Sequence, residues 1–307
     1  MKKHFSLLAT VFVFLLMLLG ASLKYKGFFS VDVFVNLLRD NAFLGVAAVG
    51  MTFVILSGGI DLSIGGMIGF TGILTGVLIT KNHFHPALAI TIVLAVGTSI
   101  GSIMGFLICT FELPPFLVTL AGMFLTRGLA LVISQNTVTI DHPWYDKISS
   151  TKLALPAFFI VVLIVGLYIA HCRPFGRAVY AIGGSEDSAG LMGLPVRKTK
   201  IKVYAISGLC ASLAGVLMTL YMSSGDPNAG RMVELDAIAA VVIGGTLLAG
   251  GVGNLIGTFF GVLILGVIQT AITFQGDISA WWAKIVTGML VLGFIVLQKL
   301  LQVRKAT

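Results

Sequence analysis

Apolar residues fill long blocks of this chain, and polar residues collect in the gaps between them. The blocks lie at approximately 5–23, 35–57, 62–80, 87–110, 115–134, 154–171, 203–222, 237–250, 254–275 and 281–298. A helix needs ~20 apolar residues to cross ~30 Å of hydrocarbon, and most of the blocks reach that length. The pattern therefore predicts ten spanning helices. The eighth, 237–250, is short and interrupted by glycine, so it is expected to enter at an angle or to be partly helical.

The longest polar gap is 173–202, RPFGRAVYAIGGSEDSAGLMGLPVRKTKIK. It carries Arg173, Arg177, Arg197, Lys198, Lys200 and Lys202 against Glu186 and Asp187. Its middle predicts a short helix. Ser185 is a natural N-cap, and Glu186 and Asp187 place negative charge in the first turn, where the helix dipole favours it. Gly193 and Pro195 end the helix. Leu191 and Met192 offer a small apolar face. A helix this short does not persist on propensity alone, so it is expected to dock on the bundle or on a partner.

Composition narrows the class. Of 307 residues, 57% are hydrophobic and 10% are charged, against roughly 25% charged in an ordinary globular domain. Such a chain suits an all-α polytopic bundle, because backbone groups in lipid must bond within the segment. The 37 glycines suit close helix packing and broken helices. The net charge of +8 gathers at segment ends, which fits short cytoplasmic loops rather than nucleic acid. With the N-terminus inside, eleven basic residues fall on the inner side and seven on the outer side. The central loop decides that count and returns the C-terminus to the cytoplasm.

The remaining segments carry less chemistry. The N-terminal run 5–23 follows Lys2 and Lys3 and is longer than a signal-peptide core, so it reads as an uncleaved first helix. Cys109, Cys172 and Cys210 form no disulfide framework and no metal spacing. His83 and His85 flank a turn before Pro86 and read as a solvated loop. Trp144 and Tyr145 in the loop 135–152 suit an interface belt, and Trp281, Trp282 and Lys284 suit an interfacial anchor with a snorkelling lysine. No GxxxxGK[ST], GxSxG or HExxH occurs, so the chain shows no phosphate cradle and no catalytic constellation.

Within the apolar blocks, GMTFVILSGGIDLSIGGMIGFTG at 50–72 is the most informative stretch. Asp61 sits beside Gly58 and Gly59, with Ser57 and Ser63 near it. A carboxylate at that depth marks a pathway, or else it caps the third helix at a tight hairpin; both readings stand. The scarce polar residues Asn41, Thr52, Thr119, Asn254 and Gln269 complete a candidate passage suited to a neutral, hydroxyl-rich solute. Each taken singly also serves as interhelical glue. Arg127 lies within the fifth block. An offset of 192 aligns Ala47-Ala48-Val49 with Ala239-Ala240-Val241, and Gly58-Gly59 with Gly250-Gly251. Ile64-Gly65 and Gly69 likewise align with Ile256-Gly257 and Gly261. The echo is a repeat of a transporter pathway or a chance likeness of two glycine-rich hairpins.

AAVGMTFVILSGGIDLSIGG at 47–66, YAIGGSEDSAGLMGLPVRKTKIKVY at 180–204 and ELDAIAAVVIGGTLLAGGVGNLIGTFFGVLILGVIQ at 234–269 carry a resemblance. Over essentially its whole length the chain resembles permease subunits of bacterial ABC importers for monosaccharides, of the ribose, galactose and xylose type. These are distantly similar to the vitamin B12 permeases. DNAFLGVAAVGMTF at 40–53 and SAWWAKIVTGML at 279–290 resemble galactofuranose importer permeases more narrowly. The resemblance implies a single permease domain over 1–307, with a cytoplasmic coupling loop at 172–202, in the bacterial inner membrane. It implies that Ser185, Glu186, Asp187, Ser188, Ala189, Leu191, Met192 and Gly193 form a coupling helix seated on a separate ATPase subunit. ATP would bind that partner, and this chain would hold no cofactor and be no enzyme. A second permease, the same or a sister chain, and a periplasmic sugar-binding protein complete the implied assembly. The alternative is an ion- or proton-coupled carrier of a small polar solute, for which one buried Asp is a thin relay.

Overall fold

The computed structural model describes residues 5–276, 279 and 281–303. Lys2, Lys3, Arg304 and Lys305, which entered the inside charge count, lie outside the described residues. Among the described residues the fold is all-α apart from one pair of two-residue strands. Helices α1 (Phe5–Lys24), α2 (Val31–Asp40), α3 (Ala42–Leu56), α4 (Ser63–Thr80), α5 (Pro86–Thr110) and α6 (Pro115–Ile133) lead to strand β1 (Val138–Thr139). Then come α7 (Pro143–Ser150), α8 (Ala154–Cys172), α9 (Pro174–Gly184), α10 (Glu186–Leu191), α11 (Val196–Met222) and strand β2 (Ser224–Gly225). Helices α12 (Val233–Ile243), α13 (Leu255–Gln275) and α14 (Trp281–Val303) complete the described chain.

The polytopic helical architecture is as expected, while helix length and apolarity by themselves account for fewer than the ten spans expected. Among the described residues seven helices are long and apolar enough to cross a membrane, or eight if the pair α2–α3, bent by 55°, is one span. The segment expected at 237–250 is partly helical: α12 is 11 residues long. At ~1.5 Å rise per residue it covers about half the ~30 Å core. Its continuation, 244–254, leaves the helix because Gly245, Gly250 and Gly251 take positive φ values of 90°, 88° and 72°. Helix α14 runs for 23 residues, with its described apolar stretch at Trp281–Val296.

Helix α11 is the axis of the bundle, with α5, α3 and α4 laid along it. One reason is a stripe of small residues. Gly97, Gly101 and Gly105 recur every four residues, so they share one face of α5. The backbone of α11 at Ile201, Tyr204 and Gly208 lies directly against that face. In lipid, where apolar burial drives little association, such close backbone approach supplies the packing. Helix α3 is buried nearly all round.

The helices order the polar ends. The starts of α3 and α12 face one cavity, and their ends meet near Leu56 and Gly251, so the two run in parallel. Gly251 N donates to Leu56 O at 2.9 Å. Gly58 and Gly250, aligned by the 192-residue offset, lie against each other. At the opposite end of the bundle β1 pairs antiparallel with β2, through Val138 with Gly225 and Thr139 with Ser224. Tyr145 corrects an expectation: it is 1% exposed, not part of an interface belt. Its hydroxyl pairs with Thr219 Oγ1 of α11 at 2.6 Å and so fastens α7 to the bundle. Burial raises the pKa of that hydroxyl. Trp144, at 37% exposed, stays at the surface.

Candidate coupling surface and polar breaks

The central loop folds as a helix-turn-helix on the end of the bundle that holds two breaks, the α3–α4 break at 57–62 and the α12–α13 loop at 244–254. Pro174 opens α9 at the first helical position, where its missing N–H costs nothing. The chain is extended at Ser185, with φ −165° and ψ 112°, and α10 follows. Ser185 Oγ accepts from Ser188 N at 3.2 Å and donates to Ser188 Oγ at 2.9 Å. Glu186 holds Lys200 Nζ of α11 at 2.8 and 2.9 Å. Gly193 closes α10 at φ +77°, and Leu194 N returns to Ala189 O at 3.1 Å. That left-handed closure is cheap for glycine alone.

The two sides of this segment differ. Ala189 is fully buried and, with the Glu186–Lys200 pair, ties α10 to the bundle. Leu191 is 91% exposed and Met192 68%. Both apolar side chains stand on the outer face, beside the acidic first turn.

Behind α10, α9 touches both breaks. The backbone of Gly183 lies against the Leu56 carbonyl and the Gly251 amide. Tyr180 Oη donates to Gly253 O at 3.0 Å. The segment leading into α10 therefore contacts the α3–α4 break and the α12–α13 loop, through the Gly183 backbone and the Tyr180 hydroxyl. Sequence reasoning did not single out Tyr180, Gly183 or the 97–105 stripe. The four-residue glycine spacing was visible, whereas the contacts of α9 span more than a hundred residues of chain on one side.

The pathway candidates fall into separate groups. Asp61 is 1% exposed at the break. Its Oδ1 accepts from Ser63 N at 2.9 Å and Ser63 Oγ at 2.6 Å. Its Oδ2 accepts from Ser207 Oγ of α11 at 2.6 Å. The carboxylate thus caps the first turn of α4 and joins it to α11. Ser57 Oγ donates to Val54 O at 2.8 Å, Gly58 is exposed at φ +81°, and Gly59 packs on Tyr204. Thr119 donates to Pro115 O at 2.9 Å. Thr52 pairs with Thr258 Oγ1 at 2.8 Å between α3 and α13, and Asn254 caps α13 by accepting from Ile256 N at 3.0 Å.

Asn41 and Gln269 are brought together at the opposite end. They line a cavity of about 350 Å³ with Asp40, Asp236 and Lys284. Lys284 does not merely snorkel: its Nζ binds both Asp236 oxygens, at 2.6 and 2.7 Å, and ties α14 to α12. Arg127 reaches the Ala229 carbonyl. His85 caps α5, its Nδ1 accepting from Ala87 N at 3.3 Å.

Comparisons with known proteins agree with this architecture. The Inner membrane ABC transporter permease protein YjfF of Escherichia coli is 47% identical, over 97% of this chain and 93% of its own. The Fructose import permease protein FruG of Bifidobacterium longum is 35% identical, over 97% and 94%. The Ribose import permease protein RbsC of Haemophilus influenzae is 36% identical, over 96% and 94%. No solved structure matches the chain. The family described as "Branched-chain amino acid transport system / permease component" matches residues 33–295. With that match, and with relatives of this identity aligned along nearly the whole chain, the protein belongs to this family of multi-pass membrane permeases.

Proposed function

We propose that this chain is the permease subunit of an ABC importer for a monosaccharide, worked through α10 by a separate ATPase subunit. The observation that carries the reading is the two-sidedness of α10: Ala189 and Lys200 hold it to the bundle, while Leu191 and Met192 stand 91% and 68% exposed. An exposed apolar pair on a six-residue helix fits a groove on a partner. ATP-driven closure of paired ATPases would draw two such helices together. The movement would reach both breaks through Gly183 and Tyr180. Two ATPase sites call for two permease subunits, with the pathway at their interface. That geometry accommodates the separation of the polar candidates within one chain. ATP would be held by the partner, and this single domain over 1–307 would carry no cofactor.

A sugar is favoured over an amino acid by two of the relatives, whose names specify fructose and ribose. The narrower proposal is galactofuranose, with a sister permease as the second subunit. The paired loops 135–152 and 223–236, joined by β1 and β2, offer the platform for a periplasmic sugar-binding protein. Both termini would then lie in the cytoplasm. The carrier reading, with proton or ion coupling, has less to draw on, since Asp61 directs both oxygens to serine donors.

The test replaces Leu191 and Met192 by Asp. The variant is expected to insert and fold, and to lose copurifying ATPase and sugar import together. Import with a full complement of ATPase would refute the assignment. A sugar panel in binding-protein-stimulated ATPase assays decides the substrate.

A further inference from the structure

Arg173 and Lys202 line one groove between α8 and α5, floored by α11. Its volume is about 600 Å³. Both cations lie at the end of the bundle that carries α10. From there the groove descends past Phe175, Ile169, Ile206 and Leu209 to the level of Thr98, near the middle of α5. From Lys202 to Leu209 along α11 the drop is ~10 Å. The flanks are lipid-facing: Ile164 and Val165 of α8 are 59% and 50% exposed, and Ile103 of α5 is 57% exposed.

The ion pairs among the described residues use Lys152, Lys200 and Lys284, and neither Arg173 nor Lys202 takes part. The Arg173 guanidinium is held 5.4 Å from the Tyr168 ring centroid, which limits its freedom before any ligand arrives. Helix α9 starts at the same place with no side-chain cap, so its positive end adds to the field. Two cations and a helix start sit above an apolar trough that opens to hydrocarbon.

We propose that this groove binds one anionic phospholipid, its phosphate at Arg173 and Lys202 and an acyl chain along Ile169, Ile206 and Leu209. Basic pockets between spanning helices at the membrane edge recognise such headgroups. A zwitterionic headgroup brings its own cation, which these two residues repel. A peptide or a second copy has no match to a trough charged only at its mouth. The bound lipid would steady the start of α9, and hence the segment that leads into α10.

Native mass spectrometry of the full chain in detergent tests the site with dioleoylphosphatidylglycerol, dioleoylphosphatidylcholine and inorganic phosphate. The first phosphatidylglycerol is expected to bind about thirtyfold more tightly than phosphatidylcholine, as two nearby cations would give. Arg173→Ala with Lys202→Ala should remove that preference, and Arg173→Lys should keep most of it. Ile206→Trp, which fills the trough and leaves the charges, should also abolish the tight lipid. Lys147→Ala, at the other end, should change nothing. Equal binding of the two lipids, or undiminished preference in the double variant, overturns the proposal. So does displacement of the tight lipid by millimolar inorganic phosphate, which would make the site one for a free anion. None of these readouts depends on transport or on an ATPase.

Discussion

Asp61 shows how much one buried carboxylate does in a chain that is 10% charged. Three donors converge on it from α4 and α11. Asp61→Ala leaves those donors without an acceptor, at about 1–3 kcal/mol each in a buried site. The purified variant should therefore melt well below the parent. Asp61→Asn keeps one carbonyl oxygen for Ser63 and should lose less. If Asp61→Ala melts like the parent yet abolishes import, the carboxylate serves the pathway and not the cap. The sequence limited Asp61 to those two roles, because a lone acid beside Gly-Gly admits both. Ser207 was not legible as its partner, since 146 residues separate the two and only the fold of α11 along α4 joins them. Tyr145 was misread for a similar reason. An amphipathic ring beside Trp144 suits an interface until Thr219 supplies a buried partner for its hydroxyl.

At the scale of elements, packing depends on how closely α5 approaches α11. A Cβ at Gly101 would press on the Tyr204 backbone and on Gly208. Gly101→Leu should force the helices apart and cost about 1–3 kcal/mol or more. Gly128→Leu, where nothing lies within 4 Å, should be nearly silent. Thermal melts of the two variants compare them directly; equal melting would contradict the packing described. The same scale explains why the eighth apolar block is only partly helical. Hydropathy reports which segments are apolar enough for lipid. It does not report where a helix stops when the next residues are still apolar. The stop in α12 lies in the positive φ values of Gly245, Gly250 and Gly251, and in the bond from Gly251 to Leu56 across the bundle. Short α10 was legible because its signals are local: Ser185 at the start, acids in the first turn, Gly193 at the end.

The whole molecule is a bundle with two unlike ends, and this can be measured. Ser188 sits with α9, α10 and both breaks; Asn228 sits in the loop after β2 at the opposite end. In a background with Cys109, Cys172 and Cys210 replaced by alanine, Ser188→Cys and Asn228→Cys should react with an impermeant maleimide from opposite sides of the membrane. Labelling of both from one side would contradict the topology. From sequence alone came the membrane class, most of the spans, the capped helix at 185–193 and the glycine breaks. Each of these depends on residues near one another in the chain, through hydropathy, capping or backbone freedom. Tertiary structure alone decided that α12 stops short, that Gly58 meets Gly250, that α9 touches both breaks and that Asp61 belongs to Ser207 as well as to α4. Those facts are contacts between distant segments. In a chain built of similar apolar helices, pattern along the sequence does not say which helix lies beside which; the shape of the packed surfaces does.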